Sequence, residues 1–141
     1  MGLAAILAGH EEPGVHLWHT GFGVRQVRHS VEHAGWRFAW VDGLTHQDKT
    51  GFLKEVGAAL SFPGWYGENF DALADCLRDV SGPDRGGTVV LWDCWGPFAR
   101  GDRSAFDVAV DVLRKRAADT PSFTVLLRGD GPDVEVPTLD A

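Results

Sequence analysis

A chain of 141 residues suits one domain with its own core rather than two of ordinary size. Apolar residues make up 44% of it, which excludes a disordered polymer. A formal charge of −7 and a pI near 5.2 disfavour nucleic-acid binding, which wants a basic face, and favour a basic partner instead.

The segment L-A-A-I-L-A near the start is too short for a secretion-signal core and lacks a basic lead. No run approaches the length of a membrane span, so a cytoplasmic protein is expected. His10 to Gly14 reads as a polar Pro/Gly connector, and Val15 to Trp18 as a short strand. Gly21 to Gly23 punctuates it. A helix follows to Ala34, closed by Gly35, with Val24, Val27, Val31 and Ala34 as its inward face. Trp36 to Val41 is a strand and Asp42-Gly43 its turn. The next helix spans about Asp48 to Leu60, with Phe52, Leu53, Val56, Ala59 and Leu60 apolar. After a Gly/Pro loop from Ser81 to Gly87, Thr88 to Trp92 is a continuous apolar run, as in a buried parallel strand. Asp102 or Ser104 starts a long helix with Phe106, Ala109, Val110, Leu113 and Ala117 inward. Phe123 to Leu127 is the last strand, and the Gly/Pro-rich tail from Arg128 reads as loose. Strands alternating with helices argue for an α/β layer with a parallel sheet.

Between these elements lies the most specific stretch, Phe62 to Val80, F-P-G-W-Y-G-E-N-F-D-A-L-A-D-C-L-R-D-V. Pro63 ends the preceding element, Gly64 and Gly67 allow unusual backbone angles, and Asn69 is placed to cap a helix. Phe70, Leu73, Ala74, Leu77 and Val80 form a core-facing stripe. Asp71, Asp75 and Asp79 fall off it, at i, i+4 and i+8, in one row on one helix face. Like charges at that spacing cost a helix a few tenths of a kcal/mol per pair, so the row points to a positively charged partner. Trp65 and Tyr66 sit in a loop where a core does not need them.

Y-G-E-N-F-D-A-L-A-D-C-L resembles the signature of the barstar family, the intracellular inhibitors of bacterial ribonucleases. Tyr66, Gly67, Asn69, Asp71, Ala72, Leu73, Asp75, Cys76 and Leu77 match its pattern, and the likeness runs from Val41-Asp42-Gly43 to about Val80. It resumes in Val89 to Trp92 and in the last helix and strand, ending near Leu127. The resemblance implies a barstar-like α/β fold: a small parallel sheet of three strands packed with helices. The N-terminal extension, outside the resemblance, is expected to add one more strand and a helix at one edge. Residues 1–35 are then an extension on the same domain, 36–127 the barstar-like domain and 128–141 a tail. It further implies a one-to-one inhibitor of a basic, secreted, guanyl-specific ribonuclease of the barnase-like superfamily. Such a protein is no enzyme, takes no cofactor or metal, and touches neither nucleic acid nor membrane directly. Asp75 is then the central plug of the enzyme's phosphate site, with Asp71 beside it and Trp65 packing on the enzyme. Gly67 and Asn69 shape the loop, and Tyr66, Ala74, Arg78 and Asp79 complete the expected contact set. Ala74 replaces a large aromatic of the family pattern, Lys115 stands where the best-known member has an acid, and Asp79 is an added carboxylate. These departures leave the target open, and an immunity protein against another basic toxin domain is the alternative.

Other patterns carry less. His29-Ser-Val-Glu32-His33 matches the H-x-x-E-H zinc-protease pattern, but the helix periodicity turns both histidines to solvent. Gly21-Phe-Gly23 is a fragment of a dinucleotide loop with Gln26 at the third glycine position, and Arg128-Gly129-Asp130 is expected by chance. Asp71 and Asp75 also have the spacing of a hydrolase carboxylate pair, without the pocket such chemistry needs. Cys76 and Cys94 make no disulfide scaffold and read as reduced thiols.

Overall fold

The computed structural model describes residues 2–44, 48–81 and 86–140. The elements run α1 (Leu3–Leu7), β1 (Val15–Trp18), α2 (Val24–His33), β2 (Arg37–Asp42), α3 (Lys49–Ala59), α4 (Phe70–Leu77), β3 (Thr88–Asp93), α5 (Gly96–Gly101), α6 (Arg103–Asp119), β4 (Phe123–Arg128) and β5 (Thr138–Leu139). Residues 82–85 of the expected Ser81–Gly87 loop lie outside the described residues.

Local chemistry sets most boundaries. Asp48, Asn69 and Asp102 cap α3, α4 and α6 by accepting from the backbone N–H three residues on, at Gly51, Ala72 and Ala105. Gly35 closes α2 with a left-handed φ of +84°, and its N–H donates to the Glu32 carbonyl. Ala34, expected on the buried face of α2, is exposed, because the helix has ended at His33 before that position turns inward. Pro63 does not end α3, which stops at Ala59 with Ser61 in the left-handed region.

The strands form one sheet in the order β2-β3-β4-β1-β5, every pair parallel. Alternate residues point to opposite faces. Val41, Val90, Trp92, Val125 and Leu127 build the larger core with α3, α4, α5 and α6. Phe38, Val89, Leu91, Leu126 and Trp18 build the smaller one with α1 and α2. This is the expected α/β architecture with two strands beyond the three. The fourth, β1, lies between β4 and β5 rather than at an edge. The fifth corrects the reading of a loose tail: Leu17 pairs with Thr138 and Trp18 with Leu139, and Leu139 is buried. An open edge on β1 leaves backbone donors and acceptors unpaired, and even a two-residue strand covers part of it. Two short helices, α1 and α5, were hidden by length and by Pro97, a helix-compatible first-turn residue that also reads as a loop breaker.

At the C-terminal end of the sheet one carboxylate ties four segments. Asp93 accepts from Arg128 Nε at 2.6 Å and Nη2 at 2.9 Å, and from Trp40 Nε1 at 2.8 Å. Arg128 Nη1 then donates to the Phe22 carbonyl at 2.5 Å. Both charged side chains are largely buried, so β2, β3, β4 and the β1–α2 loop are locked by a satisfied ion pair.

Candidate partner-binding face

The face is built from α4 and the loop before it. Asn69 Oδ1 accepts from Ala72 N–H at 2.8 Å and fixes the first turn of α4. Leu73 and Leu77 anchor the helix in the larger core, with Cys76 buried beside them and Val80 just beyond. The far end is held from α6: Arg116 Nη2 donates to the carbonyls of Val80 at 2.8 Å, Arg78 at 3.3 Å and Ser81. These carbonyls lie at and just beyond the C-cap, close to the negative end of the helix, so a guanidinium there is favourable. Sequence reasoning missed Arg116, because nothing in its spacing connects it to α4.

On this anchored element Asp71 and Asp75 are exposed and one turn apart. Asp79 departs from the expected row. The helix ends at Leu77, and Asp79 follows in a turn whose N–H donates to the Cys76 carbonyl at 3.2 Å. Asp71 lies in the first turn, where a helix favours negative charge, whereas Asp75 and Asp79 lie toward the end where it does not. Among the described residues the charge that opposes the row is local: Arg78 Nη1 is 3.3 Å from Asp75 Oδ1, with the carboxylate side chain still 60% exposed. Such a pair stabilises little and opens readily. Burial, reinforced by Asp79 and Asp75, pushes the Cys76 thiol up, so it stays protonated beneath the acidic row.

The loop divides its two aromatics. Trp65 is 66% exposed. Tyr66 is half-buried, stands edge-on to Phe62 at 4.9 Å, and donates its hydroxyl to the Leu53 carbonyl at 2.9 Å. Burial, with Cys76 and Glu68 nearby, raises its phenol pKa above the usual range. Gly57 makes that seat possible, since a Cβ there would lie 2.7 Å from the Tyr66 ring; its place in mid-helix had no visible reason in the sequence. Tyr66 is therefore first a support of the loop. Glu68 adopts a left-handed φ of 53°, which sets the chain direction into the cap. Gly67 is exposed beside the Asn69 side chain, Ala74 is partly covered, and Lys115 is exposed on α6.

The remaining patterns fall elsewhere. His29 and His33 are exposed on α2 with rings stacked at 5.8 Å, and among the described residues no group of three or more ligating side chains is arranged around a metal site. Cys76 and Cys94 are free thiols. Among the described residues no helix is long and apolar enough to cross a membrane.

A family model described as Barstar (barnase inhibitor) matches residues 36–128. No curated protein matches the sequence. Among solved structures the chain is similar in fold to the ORC2 protein of Aeropyrum pernix in its ADPNP-ADP complexes, with a TM-score of 0.64 at 14% identity over 92% of this chain and 38% of that one. It is also similar to Cdc6p of Pyrobaculum aerophilum, with a TM-score of 0.58 at 17% identity over 89% of this chain and 36% of that one. Drosophila ORC bound to AT-rich DNA and Cdc6 gives 0.54 at 14% identity, over 91% of this chain and 43% of that one. The chain thus spans less than half the length of each, and the likeness is one of fold.

Proposed function

The chain belongs to the barstar family, and from that premise we propose that it is a stoichiometric, non-enzymatic inhibitor of a basic secreted bacterial ribonuclease. In this reading it acts in the cytoplasm of a bacterial producer and occludes the enzyme one-to-one with α4 and the loop before it. The observation that carries the reading is an exposed pair of carboxylates, Asp71 and Asp75, on a helix anchored at both ends beside an exposed Trp65.

A ribonuclease site concentrates cations to hold phosphates. Carboxylates on a rigid helix match it without reorganisation, attraction at a distance speeds encounter, and close pairs freed of water slow release. Asp75 is the plug, Asp71 flanks it, and Arg78 swings off Asp75 as the enzyme's own cations arrive. Trp65 adds apolar contact at low entropy cost, while Gly67, Asn69 and Tyr66 hold the loop in shape. Ala74 and Asp79 lie at the margin of the contact.

The test is titration into a small guanyl-specific bacterial ribonuclease, following RNA cleavage. Activity should fall linearly to zero at a one-to-one ratio, and added salt should slow association. Ala74, Lys115 and Asp79 favour a second reading, an immunity protein against another basic toxin domain. That reading takes over if a panel of such ribonucleases is untouched while another basic toxin forms a one-to-one complex through the same helix.

The nucleotide of the ORC2 complexes has no counterpart in this chemistry. A phosphate-binding loop offers free backbone N–H groups, a lysine and a hydroxyl at the start of a helix. The β1–α2 loop, His19-Thr-Gly-Phe-Gly-Val-Arg-Gln26, has no lysine. Its Gly23 N–H is taken by Gln26 Oε1 at 2.8 Å, and Arg128 and Asp93 neutralise each other beside it.

A further inference from the structure

Among the described residues, α1 and α2 cover the face of the sheet opposite α4, and they leave a gap. A cavity of about 620 Å³ opens between them. That volume falls within the range of small-molecule sites, about 300–1,000 Å³. Its floor is apolar, from Leu3, Leu7, Trp18 and Val27. Its polar groups converge from one wall: His29, Ser30 and His33 of α2. A second cavity of about 400 Å³ adjoins it, sharing Phe22, His29 and Ser30 and adding Arg25. Phe22 stands between the two, 53% exposed.

The α2 wall is locally cationic. In a chain of net −7, α2 carries Arg25 and Arg28 against Glu32, and the two imidazoles add N–H donors. Glu32 already sits 3.8 Å from Arg28. An apolar trough with cationic and imidazole groups along one side is complementary to an anion carried on an apolar body.

We propose that the α1–α2 cavity is a binding site for a small organic acid, acyl or aryl. Its apolar part lies over Trp18 and Val27, and its carboxylate is received by His29 and His33 with Arg25 at the rim. The site lies on the other side of the sheet from α4, so a ligand there does not compete for the acidic helix, and the inference is independent of the inhibitor reading.

The test is fluorescence titration of the full chain with 1-anilinonaphthalene-8-sulfonate, followed by displacement with decanoate, 2-naphthoate and the neutral decanol. Saturable one-to-one binding is expected, with displacement by one or both acids. Decanoate alone identifies an acyl ligand and 2-naphthoate alone an aryl one. Ala4→Phe and Ser30→Trp, both exposed positions lining the cavity, should each weaken probe binding at least tenfold with the thermal midpoint unchanged. His29→Gln/His33→Gln should weaken the acids about tenfold, 1.4 kcal/mol, while leaving decanol within twofold. Probe binding that does not saturate, or that survives both filling substitutions, overturns the site. Equal loss of acid and alcohol in the histidine variant overturns the assignment of an acid.

Discussion

Two sets of carboxylates in this protein have opposite surroundings. Asp93 is largely buried and receives three hydrogen bonds, two from Arg128 and one from Trp40. Asp71 and Asp75 stand exposed on α4, and Asp75 has only the loose contact of Arg78. The first kind of carboxylate is consumed by the fold. The second adds nothing the fold needs, and Asp75 faces the unfavourable end of its helix. Like residues at unlike sites thus separate what holds the molecule together from what it presents outward.

The largest expected effects come from exchanging the two. Asp75→Ala should lower affinity for the ribonuclease by several kcal/mol, a magnitude taken over from the barnase–barstar pair itself rather than from this geometry. The same change should leave urea-unfolding stability within about 0.5 kcal/mol. Inhibition assays and urea melts on one variant check both halves, and a loss of affinity under about 1 kcal/mol breaks the contrast. Asp93→Ala should do the reverse. Stranding Arg128 in a largely buried site should destabilise the fold by about 3 kcal/mol, while the variant that remains folded inhibits normally.

Smaller effects sharpen the comparison. Asn69→Ala removes the cap of α4 and should reduce stability by about 1 kcal/mol, with a loss of affinity beyond that of any exposed alanine substitution outside the site. Equal affinity would mean that the helix needs no such positioning. The least effect concerns pH. His16 lies in β1, and burial lowers its pKa from the ordinary 6.5, more than nearby Glu11 raises it. The unfolded chain therefore binds the proton more readily, and stability should fall as pH drops through 6.5. Thermal midpoints of wild type and His16→Leu between pH 7.5 and 5.5 check this: the variant should show the flatter profile.

What was legible in the sequence was what repeats or caps. The apolar faces of α3 and α6, the cap at Asn69, the helix starts at Asp48 and at Asp102 or Ser104, and the solid run of β3 are local patterns, and the structure follows them. The exposed Asp71 and Asp75 were legible as well, because they fall off the core stripe, and an exposed aromatic was expected in the loop at Trp65 or Tyr66. Hidden were the features that depend on distant partners. Arg116 reaches α4 across more than thirty positions, Tyr66 finds its hydroxyl partner on α3, and Arg128, which opens a chance-looking tripeptide, forms the ion pair at the sheet end. The strand β5 escaped because two residues carry no periodicity.

The place of β1 in the sheet has a kinetic meaning. Its neighbours are β4 and β5, so Val15 meets Val125, 110 positions later along the chain. Synthesised before the strands it pairs with, β1 finds a partner only after β4 has emerged. Until then Trp18, later deep in the smaller core, has no sheet to join. Pairing at such separation closes a long loop before it gains contacts, which slows folding. Helices α3 to α6 can assemble on β2, β3 and β4 as they emerge, whereas the α1–α2 side must wait for the last residues of the sheet to be synthesised.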